Sequence, residues 1–219
     1  MLKKFLAALV ALVVSVLVIG MLLPSEVVIE RDIVIDAPRR VITNVIQDTA
    51  TWPDWTVWNT SRDPTATFTP IKGGKGVGAG YSWAGEELGN GQVIIDSADV
   101  DKGVHFTTTF NEGKYVSPGW FTYSDADANG TLVTWAYKAE FGMNPIGRIM
   151  GKMMDGQIGP DLEGGLQGLK VYAEAEAKKP GNQVIDAVEE AGKQIEDALE
   201  KAAGGVLDAM KDAMGGDQE

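Results

Sequence analysis

The hydrophobic positions of this chain follow several different periods, and each period predicts a different element. Residues 5–23 carry no charge, and Ser15 and Gly20 are the polar or small interruptions. A helix of that length reaches roughly 28 Å, which is close to the apolar thickness of a bilayer. The pattern therefore predicts a single-pass transmembrane anchor within residues 1–25.

Basic residues near the anchor bear on its orientation. Lys3 and Lys4 precede the apolar run, and basic residues favour the cytoplasmic side, which would place the rest of the chain on the periplasmic side. Arg31, Arg39 and Arg40 follow the run and weaken this argument. A cleaved signal peptide is the alternative, although its apolar region is normally about 7–15 residues and ends in small residues.

The middle of the chain alternates as strands do. Residues 27–35 place Val27, Ile29, Ile33 and Ile35 on one face, and a short helical pattern follows Pro38. Further strands are predicted at 78–83, 92–98, 104–110, 115–123 and 131–141, with turns at 89–91, 101–103, 111–113 and Asn129-Gly130. Short turns join antiparallel neighbours, so the pattern predicts an antiparallel meander with one covered face.

A long helix is predicted to cover that face. From Pro145 onward, apolar residues recur at helical spacing: Ile146, Ile149, Met150, Met153, Met154, Ile158, Leu162, Leu166 and Leu169. Gly159-Pro160 should kink or split this helix, because proline lacks the N–H that the helix needs. The fold class predicted is α+β.

The last segment, residues 177–219, reads as a linker followed by an acidic amphipathic helix. Residues 183–219 hold ten acids and three lysines, so they carry seven of the twelve net negative charges. A lone amphipathic helix has nothing to bury its stripe against. A solubilising tail and a partner-binding helix both fit this pattern.

Composition excludes several kinds of chemistry. The 219 residues have a formal net charge of −12, which disfavours nucleic acid as a partner. There is no cysteine and one histidine, so disulfides, thiolate metal sites, cysteine nucleophiles and multi-histidine metal sites are excluded. We expect neither a metal nor a cofactor.

Few individual residues suggest catalysis. His105 has the opposite parity to the apolar face of its strand, which is typical of a surface residue. Asp155 and Glu163 lie about 12 Å apart on an ideal helix, too far to share a proton. The glycine-rich residues 73–78 precede a strand rather than a helix, so they lack the context of a phosphate loop.

Five stretches resemble the polyketide cyclase/dehydrase-like SRPBCC family, which has the START-like helix-grip fold. The resemblance covers about residues 26–176 and includes membrane-anchored members of the family. The stretches are Ile33-Val34-Ile35-Asp36-Ala37-Pro38, Trp52-Pro53-Asp54-Trp55-Thr56-Val57-Trp58, Gly76-Val77-Gly78-Ala79-Gly80-Tyr81-Ser82-Trp83, Gly91-Gln92-Val93 and Gly159-Pro160-Asp161-Leu162-Glu163-Gly164-Gly165-Leu166. The resemblance implies a curved sheet around the long helix, enclosing an apolar cavity, and it implies no shared catalytic set.

The candidate ligand-binding residues are the apolar side chains predicted to face that cavity, together with Arg31. Arg31 shares the parity of the apolar face of its strand, so it lies either at a bulge or edge or under the sheet, where it would bind an acidic head group. The set is Arg31, Trp55, Trp58, Tyr81, Trp83, Phe106, Phe110, Phe121, Tyr123, Trp135, Tyr137, Met150, Met154 and Ile158.

Taken together, the sequence favours a non-catalytic binding or carrier protein for a hydrophobic small molecule, such as a lipid or a polyketide-like compound, held beside a membrane. Ligand entry would need movement of the long helix or of residues 73–78. Two alternatives stay open. One is a cyclase or aromatase acting on a polyketide-like chain, and the other is an interaction module that uses the acidic tail to bind a protein.

Overall fold

The computed structural model of the chain describes residues 2–126 and 130–215, so the predicted turn residue Asn129 lies outside the described part. The chain forms two compact units, residues 1–175 and 176–219. The helices are α1 (Leu2–Leu22), α2 (Arg39–Ile46), α3 (Trp52–Trp55), α4 (Pro145–Ala177) and α5 (Pro180–Gly215). The strands are β1 (Glu26–Ile35), β2 (Thr67–Ile71), β3 (Gly80–Gly85), β4 (Gly89–Asp99), β5 (Gly103–Phe110), β6 (Tyr115–Asp125) and β7 (Thr131–Glu140).

The seven strands form one antiparallel sheet in the order β1-β7-β6-β5-β4-β3-β2. Strands β2 to β7 pair with their neighbours in sequence, and β1 pairs with β7 along its whole length. This is the predicted meander, and the α+β, START-like fold class is confirmed. Strands β1 and β2 are therefore the two edges of the sheet.

The sequence pattern did not single out β2. Its residues are polar at alternate positions and include Pro70, which cannot donate to a neighbouring strand. Proline is tolerated here because β2 pairs only with β3 and its other side forms the edge of the sheet. An edge strand also needs fewer apolar residues than a central one, which weakens its sequence signal.

The core lies between the concave face of the sheet and helices α2, α3 and α4. Helix α2 buries Val41, Ile42, Val45 and Ile46, the helical set that the sequence predicted. Helix α4 buries its last half through Leu162, Leu166, Leu169 and Ala173.

Helix α4 continues through Pro160, so the prediction that Gly159-Pro160 would split it was wrong, whereas the alternative form of that prediction, a kink, stays a prediction. Pro160 and Gly156 are both exposed. Water can therefore bind the Gly156 carbonyl that the missing proline N–H leaves without its usual partner. Gly159 is buried, and its lack of a side chain lets the Arg31 guanidinium lie against the helix.

Helix α1 is a 21-residue apolar helix at the N-terminus, long and apolar enough to cross a membrane by length and composition. A membrane anchor and a signal sequence both fit such a helix. Its end contacts the folded domain, since Arg148 in α4 donates hydrogen bonds to the carbonyls of Met21 at 2.8 Å and Leu23 at 3.1 Å.

Helix α5 is continuous over 36 residues, and Gly192, Gly204 and Gly205 do not interrupt it. Its apolar residues Val184, Val188, Ile195 and Leu199 are all exposed. The described part of α5 thus presents an exposed apolar stripe.

Candidate functional site

A cavity of about 290 Å³ lies inside the domain. Its charged lining residues, which are exposed or half-buried, lie on the loop before β2 (Arg62), the β3–β4 turn (Glu87) and the middle of α4 (Asp161), and we refer to this side as its opening. An engineered cavity of about 150 Å³ is already large enough to bind benzene. The lining residues are Trp52, Trp58, Arg62, Phe68, Tyr81, Trp83, Glu87, Leu88, Val93, Phe106, Thr108, Phe110, Trp135, Tyr137, Ile158 and Asp161.

Aromatic rings form most of the cavity wall, and they meet largely edge to face. The ring of Trp52 lies 5.2 Å from that of Phe106 and 6.1 Å from that of Tyr81, with interplanar angles of 89° and 70°. Its indole nitrogen donates to the Ile46 carbonyl at 2.7 Å, which fixes the ring against α2. Rings held in this way resist collapsing into the space between them.

Glycines create room for these rings. The indole of Trp83 lies across Gly91 of β4, and the ring of Phe106 lies across Gly119 of β6. On the opposite side, the indole of Trp135 packs on Gly165 of α4, where a Cβ atom would come within 2.5 Å of the ring. A helix with a larger residue at that position would have to move away from the sheet.

The opening of the cavity carries its charged residues. Arg62 donates to the Asp161 carboxylate at 2.7 Å, which links the loop before β2 to α4. Glu87 lies on the β3–β4 turn and is the third charged residue of the lining. Arg62, Glu87 and Asp161 together carry a net charge of −1 when ionised.

Asp63 is a buried carboxylate that holds the two loops of the opening together. Its Oδ1 accepts from the Thr65 N–H at 3.0 Å and the Thr65 hydroxyl at 2.6 Å, and its Oδ2 accepts from the N–H groups of Glu87 and Leu88, both at 2.9 Å. The hydrogen bonds from Leu88 and then Thr65 are the main causes that lower the pKa of Asp63 to about 2.

Two tyrosines, Tyr81 and Tyr137, belong to the cavity lining. Burial raises the pKa of Tyr137 to about 12 and raises that of Tyr81 further still. Both phenols are therefore neutral at physiological pH. They can donate hydrogen bonds to a ligand, and they cannot serve as general bases there.

Eight of the predicted site residues line the cavity. They come from the tryptophan-rich segment, the strands β3, β5 and β7, and the middle of α4. They are Trp58, Tyr81, Trp83, Phe106, Phe110, Trp135, Tyr137 and Ile158.

Six predicted residues lie elsewhere. Trp55, Phe121 and Tyr123 are buried in the packed core, where the stacked rings of Phe121 and Trp135 are 4.7 Å apart. Met150 is exposed and Met154 half-buried on α4. They lie outside the cavity because the first half of α4 turns its glycines, Gly147 and Gly151, to the interior.

Arg31 also lies outside the cavity. Strand β1 is an edge strand, and the Arg31 guanidinium binds Glu163 at 2.6 Å and Asp155 at 2.9 Å on the outer side of α4. The hydrogen bonds that Arg31 donates, first to Asp155 and then to Glu163, raise the pKa of Arg31. The two acids that are too far apart to share a proton are thus joined by one arginine.

Sequence reasoning missed half of the lining. Trp52 belongs to the tryptophan cluster that the sequence did reveal, and Thr108 shares the parity of the predicted Phe106 and Phe110, so these two had a usable signal. Val93 lies on a predicted strand from which no site residue was predicted. Arg62, Glu87, Leu88 and Asp161 had none, because loops and a long-range ion pair bring them together. Phe68 lies on the strand that the pattern did not single out.

Two other sequence features lie away from the cavity. The loop at 72–78 is attached to the segment after α2, with the Thr49 hydroxyl donating to the Gly74 carbonyl at 2.6 Å and the Gly76 N–H donating to the Gln47 carbonyl at 3.0 Å. His105 is exposed and stacks beside Trp120. Within the described ranges, no group of three or more His, Asp or Glu side chains is arranged to hold a metal ion.

A family model for polyketide cyclase/dehydrase and lipid transport proteins matches residues 26–174, which is more than half of the chain. The chain belongs to this family. The match covers all seven strands and nearly all of α4, and it leaves out α1 and α5. Family membership is consistent with an SRPBCC domain that binds hydrophobic ligands.

The chain also matches solved structures at low sequence identity. A START superfamily protein from Mycobacterium smegmatis is 16% identical, with a TM-score of 0.45, and the match covers 68% of this chain and 97% of that one. The KanY protein is 15% identical, with a TM-score of 0.46 and coverage of 69% and 99%. Ara h 8.0201 is 11% identical, with a TM-score of 0.46 and coverage of 68% and 99%. No curated protein sequence matches the chain.

Proposed function

We propose that this chain is a membrane-tethered, non-catalytic binding or carrier protein for a hydrophobic small molecule. The observation that carries the proposal is the cavity of about 290 Å³, to which nine aromatic residues contribute. Moving the apolar surface of a ligand from water into such a cavity is favourable by roughly 25 cal/mol of free energy for each Å² buried. The description of the family names lipid transport, which agrees with this use of the cavity.

The cavity chemistry favours a neutral ligand with one or two polar groups. Tyr81, Tyr137 and Thr108 contribute uncharged, hydroxyl-bearing side chains to the lining, whereas Glu87 and Asp161 outnumber Arg62 among its charged residues. An anionic head group would meet a net negative opening in a chain of net charge −12. We expect hydroxyl- or carbonyl-bearing lipids or polyketide-like compounds to bind better than free fatty acids.

The proposal assigns a separate role to each segment. Residues 1–25 are the anchor, residues 26–176 the ligand-binding domain, and residues 177–219 a linker and acidic helical tail. An anchored cavity meets lipids at a high local concentration without any new contact. We place the domain on the periplasmic side because Lys3 and Lys4 precede the apolar helix.

Ligand entry would take place where Arg62 meets Asp161. Breaking this half-exposed ion pair costs little, because exposed pairs contribute about 0–1 kcal/mol. The loop at 72–78 takes no part in the lining and is attached to residues 47–49, so we assign it no gating role.

Native mass spectrometry of the full-length protein extracted from its membrane tests the proposal. The wild-type protein should carry an adduct of small-molecule mass. Val93→Phe, which places a ring in the cavity, should lower the occupancy about tenfold. Val116→Phe makes the same change at an exposed position of β6 and should leave occupancy unchanged. Wild-type protein that carries no ligand, even after incubation with lipid extract, contradicts the proposal.

An enzyme is the second candidate, and the Arg62–Asp161 pair is the observation that favours it. This ionisable pair lines the cavity within hydrogen-bond distance, as a general acid or base acting on a polyketide-like chain would need to. Asp161→Asn keeps the size of the side chain and removes its basicity. If incubation of a bound poly-β-ketone with the wild-type protein yields a dehydrated or cyclised product and Asp161→Asn abolishes it, the enzyme proposal replaces the carrier proposal.

The tail carries a third role, an interaction module. Its support is the exposed apolar stripe of α5, which includes Val184, Val188, Ile195 and Leu199. Removing residues 183–219 and comparing the proteins captured by the two forms from a membrane extract tests this role. Capture that does not depend on the tail contradicts it.

A further inference from the structure

The first half of α4, together with Met143 just before it, presents an apolar row to the outside of the domain. The exposed fractions are 79% for Met143, 58% for Ile146 and 62% for both Met150 and Met153. Residues 146, 150 and 153 are spaced i, i+4 and i+7, so they lie on one face of the helix. A contiguous exposed row of large apolar side chains marks an interaction surface more often than a solvated one.

This row begins where α1 ends. The Arg148 guanidinium binds the carbonyls of Met21 and Leu23, and it also binds the Gly142 carbonyl just before α4. At Gly20 of α1, a Cβ atom would collide with the Pro145 carbonyl, so the two helices are in close contact. Any membrane that α1 crosses therefore has a surface near the start of α4.

The charge around the row fits a lipid surface. Residues 145–157 contain Arg148 and Lys152 against a single acid, Asp155, in a chain whose net charge is −12. Asp155 is itself paired with Arg31 at 2.9 Å. Basic residues flanking an apolar helix face are the arrangement that binds the boundary between head groups and acyl chains, particularly in anionic bilayers.

We infer that the row formed by Met143, Ile146, Met150 and Met153 inserts into the interfacial layer of the bilayer that α1 spans, with lipid as its occupant. The inference rests on the proposed function, which assigns α1 as an anchor. It also relates the membrane to the cavity. Ile158, which lines the cavity, follows Met153 by five residues, roughly 7.5 Å along the helix.

Single-cysteine labelling tests the inference cleanly, because the chain has no cysteine of its own. The full chain is reconstituted in vesicles of phosphatidylcholine and phosphatidylglycerol, with an environment-sensitive nitrobenzoxadiazole label at Met150→Cys. Quenching by nitroxide-labelled lipids reports contact with acyl chains. Val171→Cys is the matched control, since Val171 is 71% exposed on the same helix but 21 residues further along. Leu17→Cys, within α1, reports whether the anchor spans the membrane.

We expect blue-shifted emission at position 150 and quenching about twofold or more stronger there than at position 171. Water-like, unquenched emission at position 150 overturns the inference, and so does a blue shift without lipid quenching, which indicates that a protein or a second copy of the chain covers the row. Strong quenching at position 17 with none at position 150 overturns the inference, and it supports the assignment of α1 as a membrane anchor. Absence of quenching at position 17 contradicts the assignment of α1 as an anchor. The ligand-binding assay by native mass spectrometry depends neither on that assignment nor on insertion of the row.

Discussion

At the scale of single residues, Asp63 connects the two loops beside the cavity opening. One carboxylate accepts four hydrogen bonds and joins the loop that carries Arg62 to the turn that carries Glu87 and Leu88. The residues around Asp63 in the sequence do not reveal this role, because Asp63-Pro64 is typical of an ordinary turn. The four donors come from two segments more than twenty residues apart.

Asp63→Asn should lower the melting temperature by about 4 °C or more at pH 7. The amide nitrogen of Asn cannot accept a hydrogen bond, so two of the four N–H and O–H donors would lose their partner. Asp54→Asn, at a nearby exposed position, serves as the control and should change the melting temperature little. Equal effects of the two substitutions in differential scanning calorimetry would contradict the role assigned to Asp63.

The stabilisation by Asp63 should also depend on pH. Folding lowers its pKa from 3.8 to about 2, so the ionised carboxylate favours the folded state. That contribution is complete above about pH 4 and is lost as the pH falls through about 2. The difference in melting temperature between wild type and Asp63→Asn should therefore shrink between pH 5 and pH 2. A difference that stays constant over this range contradicts the low pKa.

At the scale of elements, α4 has two different halves. Its second half buries Leu162, Leu166 and Leu169, as the apolar spacing predicted. Its first half buries Gly147 and Gly151 and exposes the larger residues. The apolar spacing predicted that both halves of α4 bury their large side chains. Spacing shows which residues share a face of a helix, but it does not show which face packs against the sheet. The position of the glycines was the signal that distinguishes the two halves.

Two glycines of α4 should respond in opposite ways to alanine. Gly168→Ala should destabilise the domain by about 1–3 kcal/mol, because its Cβ would collide with the backbone carbonyl of Trp55. Gly156→Ala should stabilise it by about 0.5–1 kcal/mol, because no atom lies near its Cβ and alanine favours the helix. Urea unfolding of both variants measures the two changes. Stabilisation by both would mean that α4 is not held as close to Trp55 as described.

The strands were more predictable than the site. Alternation identifies the inward parity of β3, β5 and β7 because the side-chain period of a strand is two, and this places Tyr81, Phe106 and Trp135 correctly. The charged opening depends on Arg62 meeting Asp161, 99 residues later in the chain. Local pattern carries no information about such a contact.

At the scale of the whole molecule, charge and apolar surface are distributed unevenly. The segment 183–219 holds ten acids and three lysines, whereas residues 145–157 carry two basic residues and one acid. The acidic segment and the cavity belong to different compact units. We therefore expect the two to act independently.

Deletion of residues 183–219 should leave ligand binding unchanged within about twofold, because every cavity-lining residue in the described part of the chain precedes that segment. Native mass spectrometry of the truncated and full-length proteins, purified in the same detergent, compares their occupancy. Full-length protein with both Glu189 and Glu190 changed to glutamine removes two of the seven net negative charges of the segment and shows whether tail charge alone affects occupancy. A truncated form that has lost its ligand would mean that the tail contributes to the cavity.

The central claim is that the domain interior is an open cavity that accepts a hydrophobic molecule. Titration of the full-length protein with the neutral probe N-phenyl-1-naphthylamine tests it most directly, with quenching of tryptophan fluorescence as the readout, because Trp52, Trp58, Trp83 and Trp135 line the cavity. We expect saturable quenching at one probe per chain, with an affinity for the probe that Val93→Phe weakens about tenfold and Val116→Phe leaves unchanged. Quenching that rises linearly without saturation, or that is identical in all three proteins, would contradict it.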